Sequence, residues 1–487
     1  MNVPRIALLV DHPQRDLRGI VLTALELSRR GAICHLVPAN IAAREVWALA
    51  PEFLVLNYFR RSNEALARGA LAAGIGVGLL DTEGGVWSNM ESYTELLWPD
   101  TALRQAAHGV CLWGDAMASA LVAQGIFTAD QVTVTGCPRF DVYHPSWRPV
   151  IVTDHEGTDR PRVLVNTNFS TANPRFTSVE QKIATSRRNF GWDDVRVQEL
   201  LRTERAAIAA MIELVARLAT TFPNVDVVVR PHPFERPEPY REALQALSNV
   251  TVDNSGGVEP QICRAVAVIQ RSCTTGIEAG FAGTPTLSPR WIPAPFEMPS
   301  AEAVSVPCGS YGELHEALGS IVAGEWITPP AVVDAIAAVT RDWFHSRDGQ
   351  SHRRVAEVLM GEVARGRQVR LTECDRLLYV DPEGSGLSML QWMGSQVRRG
   401  LHLPPDWSFR AMRRAPDERW PTTSKYFGAE EVRSLASRIV AVARAKGGAL
   451  GEMRVSVGLA RDRGECRRGA HCHSVTVAAA RAAERAA

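Results

Sequence analysis

Apolar residues recur along this chain in two ways. Short runs of about five suit buried strands, and stripes spaced three and four apart suit amphipathic helices. Segments 5–10, 33–38, 53–57, 76–80, 110–113 and 132–135 read as strands. Segments 17–30, 63–73 and 116–124 read as helices between them, the first closed by Gly31. Strands that alternate with helices in this way predict a parallel, doubly wound sheet. A polar stretch over 144–160 reads as a linker, after which the alternation restarts. Strands are expected at 163–166, 225–230, 250–252, 266–270 and 285–288, with helices at 199–221, 239–247, 276–282 and 312–322. No sequence repeat links the halves, which read as two Rossmann-like α/β domains in tandem, facing a cleft. The expected division is 1–150, 160–330, a helical stretch 331–365 packing back on the body, and a basic extension 366–487. That extension reads as mostly helical, with pieces at 387–399 and 429–446 and a partly disordered end.

Composition narrows the field. Of 487 residues, 46% are hydrophobic and 22% charged, which excludes a disordered polymer. Lys and Arg number 54 against 53 Asp and Glu, so the near balance argues against a nucleic-acid binder. The balance is uneven, however. Residues 361–487 hold 22 basic and 14 acidic residues, a net +8, and leave −7 on the first 360. No apolar run is long enough to span a bilayer, and the N-terminus lacks a signal-peptide pattern, so a cytoplasmic protein is expected. The nine cysteines are scattered and read as reduced, buried side chains. Cys466, His471, Cys472 and His473 are too crowded for a zinc module. No metal or cofactor is expected. No Asp-x-Asp, no Walker loop and no Gly-x-Gly-x-x-Gly after a strand occurs, which argues against a cation-dependent sugar-nucleotide enzyme, a P-loop kinase and an NAD enzyme.

In doubly wound sheets ligands sit at the carboxyl ends of strands, so residues just after strands carry the chemistry. Arg230-Pro231-His232-Pro233 leaves one strand with a stiffly presented histidine, suited to a phosphate or ribose, or equally to capping a turn. Gln270-Arg271-Ser272-Cys273-Thr274-Thr275-Gly276 leads from a strand into a helix. Its three hydroxyls exceed what one helix cap needs, which favours an anion site on Ser272, Thr274 and Thr275. Glu278 lies in the first turn and suits a ribose hydroxyl or the helix dipole. Asp81-Thr82-Glu83-Gly84-Gly85 is either a ligand-facing acidic turn or a solvated one. Arg15 and Asp16, Arg139 and Asp141, and Asn168 also follow strands at expected cleft positions, with Asp16 alternatively a helix cap.

These motifs together resemble the bacterial surface carbohydrate biosynthesis proteins of the GT-B type. That family is related to capsule and lipopolysaccharide Kdo transferases and, more remotely, to CDP-glycerol glycerophosphotransferases. The matching stretches are DHPQRDL (11–17), LDTEGG (80–85), VTGCPRFD (134–141), NTNF (166–169), RPHP (230–233), QRSCTTGIEAGFAGTPTLS (270–288) and WFHSRDGQSHRRVAEVL (343–359). They span about residues 1–360, and Cys137 stands where the pattern has Asn. The resemblance implies transfer of Kdo or a related nonulosonic acid from a CMP-linked donor to a surface polysaccharide or lipopolysaccharide acceptor. His232 would contact the donor phosphate, Ser272, Thr274 and Thr275 the phosphate or ribose, and Arg230 would neutralise charge. Asp141 would attack the anomeric carbon in a double displacement, with Glu83 handling the acceptor proton. Two rival activities remain: transfer of a polyol phosphate from a CDP donor, and a UDP-sugar 2-epimerase-like reaction. A non-enzymatic glycan-binding or scaffold subunit is a third reading.

The basic tail interleaves Arg398, Arg399, Arg410, Arg413 and Arg414 with Trp407, Phe409 and Trp420. That mixture suits peripheral contact with an anionic membrane carrying a lipid-linked acceptor, or else a solvated cap on the body.

Overall fold

The computed structural model describes residues 3–85, 90–152, 160–190, 193–371, 425–460, 462–466 and 473–480. The chain forms two compact units, residues 1–150 with 340–487, and residues 151–339.

Unit 1 carries an eight-stranded sheet. Six strands run parallel: β1 (Arg5–Val10), β2 (Ile33–Pro38), β3 (Phe53–Leu56), β4 (Gly76–Leu80), β5 (Val110–Leu112) and β6 (Val132–Val134). The helices between them are α1 (Pro13–Arg29), α2 (Ala42–Leu49), α3 (Arg61–Ala72), α4 (Met90–Thr94), α5 (Thr101–Ala106) and α6 (Asp115–Ala123). β2 to β5 are buried throughout, as both faces of the sheet are covered, which is why they read as near-continuous apolar runs. α1 is buried on nearly every side. A Cβ at Gly19 would lie 2.5 Å from the Arg139 backbone nitrogen, so only glycine lets α1 approach that segment.

Unit 2 carries a six-stranded parallel sheet in the order β12-β11-β10-β7-β8-β9. Its strands are β7 (Arg162–Asn166), β8 (Asp226–Arg230), β9 (Val250–Val252), β10 (Ala267–Ile269), β11 (Thr286–Pro289) and β12 (Val306–Cys308). The helices are α7 (Val179–Phe190), α8 (Asp194–Thr221), α9 (Glu238–Leu244), α10 (Glu259–Arg264), α11 (Thr274–Ala282), α12 (Pro299–Ala303), α13 (Tyr311–Ala323) and α14 (Pro330–Val339). The two-sheet α/β architecture is the one the hydrophobic pattern predicts.

The C-terminal residues depart from a simple helical appendage. After α15 (Ser351–Ala364), α16 (Ala429–Ala445) buries Val432, Leu435, Ala436, Ile439, Val440 and Ala443 in the core that α1 and α15 share. β13 (Val455–Leu459) and β14 (Val475–Ala479) form a hairpin, and β14 pairs antiparallel with β2. The hairpin thus covers an edge of the parallel sheet that would otherwise offer unpaired backbone groups. Buried polar contacts fix it. The Glu45 carboxylate accepts the His473 and Ser474 backbone N–H groups, each at 3.0 Å, and the Ser28 hydroxyl donates to the Val477 carbonyl at 3.1 Å. The expected helix at 387–399 and the Arg/Trp-rich stretch lie outside the described residues. One cysteine expectation changes: Cys466 is disulfide-bonded, whereas Cys34, Cys111, Cys137, Cys263, Cys273 and Cys308 are free. No helix among the described residues is long and apolar enough to cross a membrane.

Candidate functional site

In unit 1 the carboxyl ends of β1, β3 and β4 bring together an alternating network of charges. β1 ends into Asp11 and His12, and α1 starts at Pro13, whose missing N–H costs nothing at a helix start. The Asp16 carboxylate, in the first turn of α1, reaches back to accept the backbone N–H of the N-cap residue His12 at 3.0 Å. Asp16 also takes Arg15 Nε at 2.7 Å. Arg15 reaches two further carboxylates, Asp11 at 3.2 Å and Glu83 at 3.5 Å. Arg60, just after β3, pairs with the other Glu83 oxygen. Burial disfavours ionisation of Glu83, but Arg60 and Arg15 outweigh it and hold the carboxyl below its ordinary range. Glu83 is therefore an ionised, partly exposed carboxylate with fixed partners. Burial first and Arg15 second push the neighbouring His12 down to about 4, so its imidazole is neutral at physiological pH.

Asp81 does different work. It is fully buried, accepting the Glu83 backbone N–H at 2.7 Å and the Tyr93 hydroxyl at 2.6 Å. It shapes the turn that presents Glu83. The two glycines of that turn face an aromatic wall rather than open space. A Cβ on Gly85 would sit 2.8 Å from Trp113 and 2.9 Å from Phe344, and Trp113, Phe140 and Phe344 pack on one another.

Asp141 is buried, and its position defines its partners. Its Oδ1 accepts the Ser351 backbone N–H at 3.1 Å, and its Oδ2 accepts the His352 backbone N–H and meets His352 Nδ1, both at 2.8 Å. Both oxygens thus bind the start of α15, where orphan N–H groups and the helix dipole favour an anion. Both oxygens of Asp141 are committed to α15, as both of Glu83 are to Arg15 and Arg60. Arg139 is buried with its guanidinium 5.0 Å from the centre of the Phe140 ring. Cys137 is buried, and burial pushes its thiol well up, so it packs as an apolar group.

In unit 2 the central strand β7 lies between β10 and β8, so the ends of all three meet. β10 runs into the hydroxyl-rich turn and then α11, whose N-cap residue Cys273 makes no side-chain cap bond. Thr274 and Thr275 occupy the first turn of that helix and are half-buried. Ser272 points elsewhere. With φ 51° it takes a left-handed conformation, and its N–H and hydroxyl both donate to Glu302 Oε1, at 2.6 and 2.7 Å. Arg271 and Ser288 donate to the same carboxylate. Arg230 is likewise engaged, donating to the carbonyls of Ser255 at 2.9 Å and Gly256 at 2.6 Å, and to Gln261. Glu278 is buried and Asn168 is exposed.

His232 is half-buried, and its Nδ1 accepts the Phe234 backbone N–H at 3.2 Å, which leaves the proton of a neutral ring on Nε2. Glu235 organises this turn. Fully buried, it accepts the backbone N–H groups of His232 and Phe169 and the hydroxyls of Thr167 and Tyr240. It so ties the exit of β7 to the exit of β8. The side chain of Asn166, at the end of β7, is 3% exposed, yet neither its amide nitrogen nor its oxygen has a hydrogen-bond partner among the described residues. Buried polar groups are normally satisfied, so this amide is available to bond a group bound at the end of β7.

The residues brought together thus differ in part from those expected. Arg15, Asp16, Asp81 and Glu83 cluster in unit 1; in unit 2, Thr274 and Thr275 follow β10 and His232 follows β8, the two strands that flank β7. Arg60, Glu235, Glu302 and Asn166 were not singled out in the sequence, though Asn166 opens the NTNF stretch.

The chain matches no family model and no curated protein sequence. It is similar to the solved structure of a putative UDP-N-acetylglucosamine 2-epimerase from Listeria monocytogenes. The TM-score is 0.50 at 13% identity, covering 76% of this chain and 98% of that one. A UDP-GlcNAc 2-epimerase from Neisseria meningitidis bound to UDP-GlcNAc gives a TM-score of 0.46 at 12% identity, over 74% and 100%. The wall teichoic acid polymerase TagF gives 0.38 at 9% identity, over 60% and 69%. The first likeness, together with the two parallel sheets, shows that the chain has a GT-B-type fold with two Rossmann-like domains.

Proposed function

We propose that the protein is a glycosyltransferase that takes a sugar from a nucleotide-linked donor and passes it to a glycan acceptor. The carrying observation is in unit 2. An uncapped helix start bearing Thr274 and Thr275 follows β10, and the unpartnered buried amide of Asn166 ends the neighbouring strand. A helix start, hydroxyls and an amide at adjacent strand ends suit a nucleotide phosphate. His232, with its proton on Nε2, would donate to the same phosphate. The motif resemblance favours a CMP-linked donor, with Kdo or a related nonulosonic acid as the sugar and a surface polysaccharide or lipopolysaccharide as acceptor.

Glu83 is the reacting carboxylate in this reading. The acceptor hydroxyl gives its proton to Glu83 as its oxygen attacks the anomeric carbon, and the bond from that carbon to the phosphate oxygen breaks. The nucleotide leaves as a phosphate anion. A single displacement inverts the anomeric configuration. It is proposed in place of the two-step route through Asp141, whose oxygens both bind the start of α15.

A second reading is 2-epimerisation of a nucleotide sugar, favoured by the Listeria monocytogenes likeness over 98% of that chain. Calorimetric titration with CMP, CDP and UDP tests the shared premise of a nucleotide site. CMP is expected to bind tightest, and Thr274→Val with Asn166→Ala to weaken it by about tenfold or more. Absence of binding by all three nucleotides would overturn the proposal.

A further inference from the structure

Lys425 lies beyond the stretch that carries the family resemblance, and the transfer chemistry makes no use of it. Its Nζ is 2.7 Å from Asp11 Oδ1, at the head of α1, while Arg15 lies on the other Asp11 oxygen at 3.2 Å. The lysine side chain is 27% exposed and that of Asp11 13%, so the pair is partly shielded from water. The elements C-terminal to Lys425 hold it in place. Phe427 is buried in the unit 1 core, α16 packs on α1, and β14 is hydrogen-bonded to β2. A cation is therefore delivered to the strand ends by the C-terminal extension.

Arg15 is shared among three carboxylates. One guanidinium serves Asp16 at 2.7 Å, Asp11 at 3.2 Å and Glu83 at 3.5 Å, and the last contact is the longest. The charged and titratable groups around Glu83 are Arg15 from α1, Arg60 after β3, Asp11 after β1, Asp81 in its own turn and Tyr93 from α4. Without a cation on its far oxygen, Asp11 would draw Arg15 towards itself and away from Glu83. We propose that Lys425 is a positioning residue of the unit 1 site, neutralising Asp11 so that Arg15 remains on Glu83. The C-terminal extension then belongs to the active site as well as to the fold. The catalytic consequence rests on the reading of Glu83 as the reacting carboxylate, but the physical claim does not.

The test is the titration of Glu83 in the full-length protein, followed by carbon-13 NMR of labelled glutamate, with Glu83→Gln identifying the resonance. Lys425→Met is expected to raise the Glu83 midpoint by about half a pH unit. Lys425→Arg is expected to restore it, and thermal unfolding of both variants checks that they fold. A Glu83 titration unchanged in folded Lys425→Met overturns the positioning role. In a second arm, the acid limb of kcat/KM for sugar transfer should move upward with the midpoint. A shifted titration in a protein that transfers sugar from no donor supports the positioning and overturns only the functional reading.

Discussion

Glu302 governs a turn thirty residues away in sequence, and its partners explain why Ser272 tolerates a left-handed backbone. Burial opposes its ionisation, but the Ser272 and Ser288 hydroxyls and Arg271 outweigh that and lower its pKa from the ordinary 4.5. A lowered carboxyl contributes stability that is fully present above the unfolded value and lost as pH falls through the folded one. Glu302→Gln should therefore cost about 3 kcal/mol near neutral pH, with the gap from wild type closing below about pH 4.5. Urea unfolding at pH 7 and pH 3.5 checks this. The two carboxylates of unit 1 should separate cleanly. Asp141→Asn is expected to destabilise by about 1–2 kcal/mol through the α15 cap. Glu83→Gln should retain the fold while losing about a hundredfold or more in kcat. Equal loss of kcat in both variants, with Asp141→Asn stable, would return Asp141 to the chemistry. The strand ends that carry Glu83, Thr274 and His232 were legible from the apolar runs before them. Glu302, Glu235 and Arg60 were not, since a side chain that meets residues far along the chain leaves no local pattern.

At the scale of elements, every strand of the two parallel sheets except β12 was readable from its apolar run, and β12 was missed because it is a three-residue edge strand with an exposed middle residue. Differences fell at element ends and in helices such as α2 and α7, which the apolar stripes did not give. α8 begins at Asp194, which precedes the apolar stripe by a turn, because Asp193 caps it through the Arg196 N–H at 2.8 Å. β13 and β14 escaped notice because each is five residues long in an Ala/Arg/Gly-rich region, and β13 is only half-buried. α1 shows how packing outweighs propensity. Glycine weakens a helix interior, yet Gly19 is the residue that fits against the Pro138 and Arg139 backbone. Gly19→Ala should thus destabilise by about 1–3 kcal/mol rather than stabilise the helix, as thermal melting would show.

For the molecule as a whole, the uneven charge of the sequence first suggested an acidic catalytic body with a separate basic tail. The described part of that tail instead completes unit 1, covering α1 with α16 and the β2 edge with β14. A chain ending at residue 424 should expose that face and edge and so be aggregation-prone, in contrast to a dispensable appendage. Size-exclusion chromatography of the truncated and full chains distinguishes the two. The central claim is that a nucleotide-linked sugar is consumed by transfer. Its most direct test is to incubate CMP-linked and UDP-linked sugars with the protein, with and without glycan acceptors, and to quantify free nucleotide and sugar product. Nucleotide release that requires an acceptor, yields an inverted linkage and is lost in Glu83→Gln is the predicted result. Isomerised nucleotide sugar formed without acceptor and without released nucleotide would contradict it.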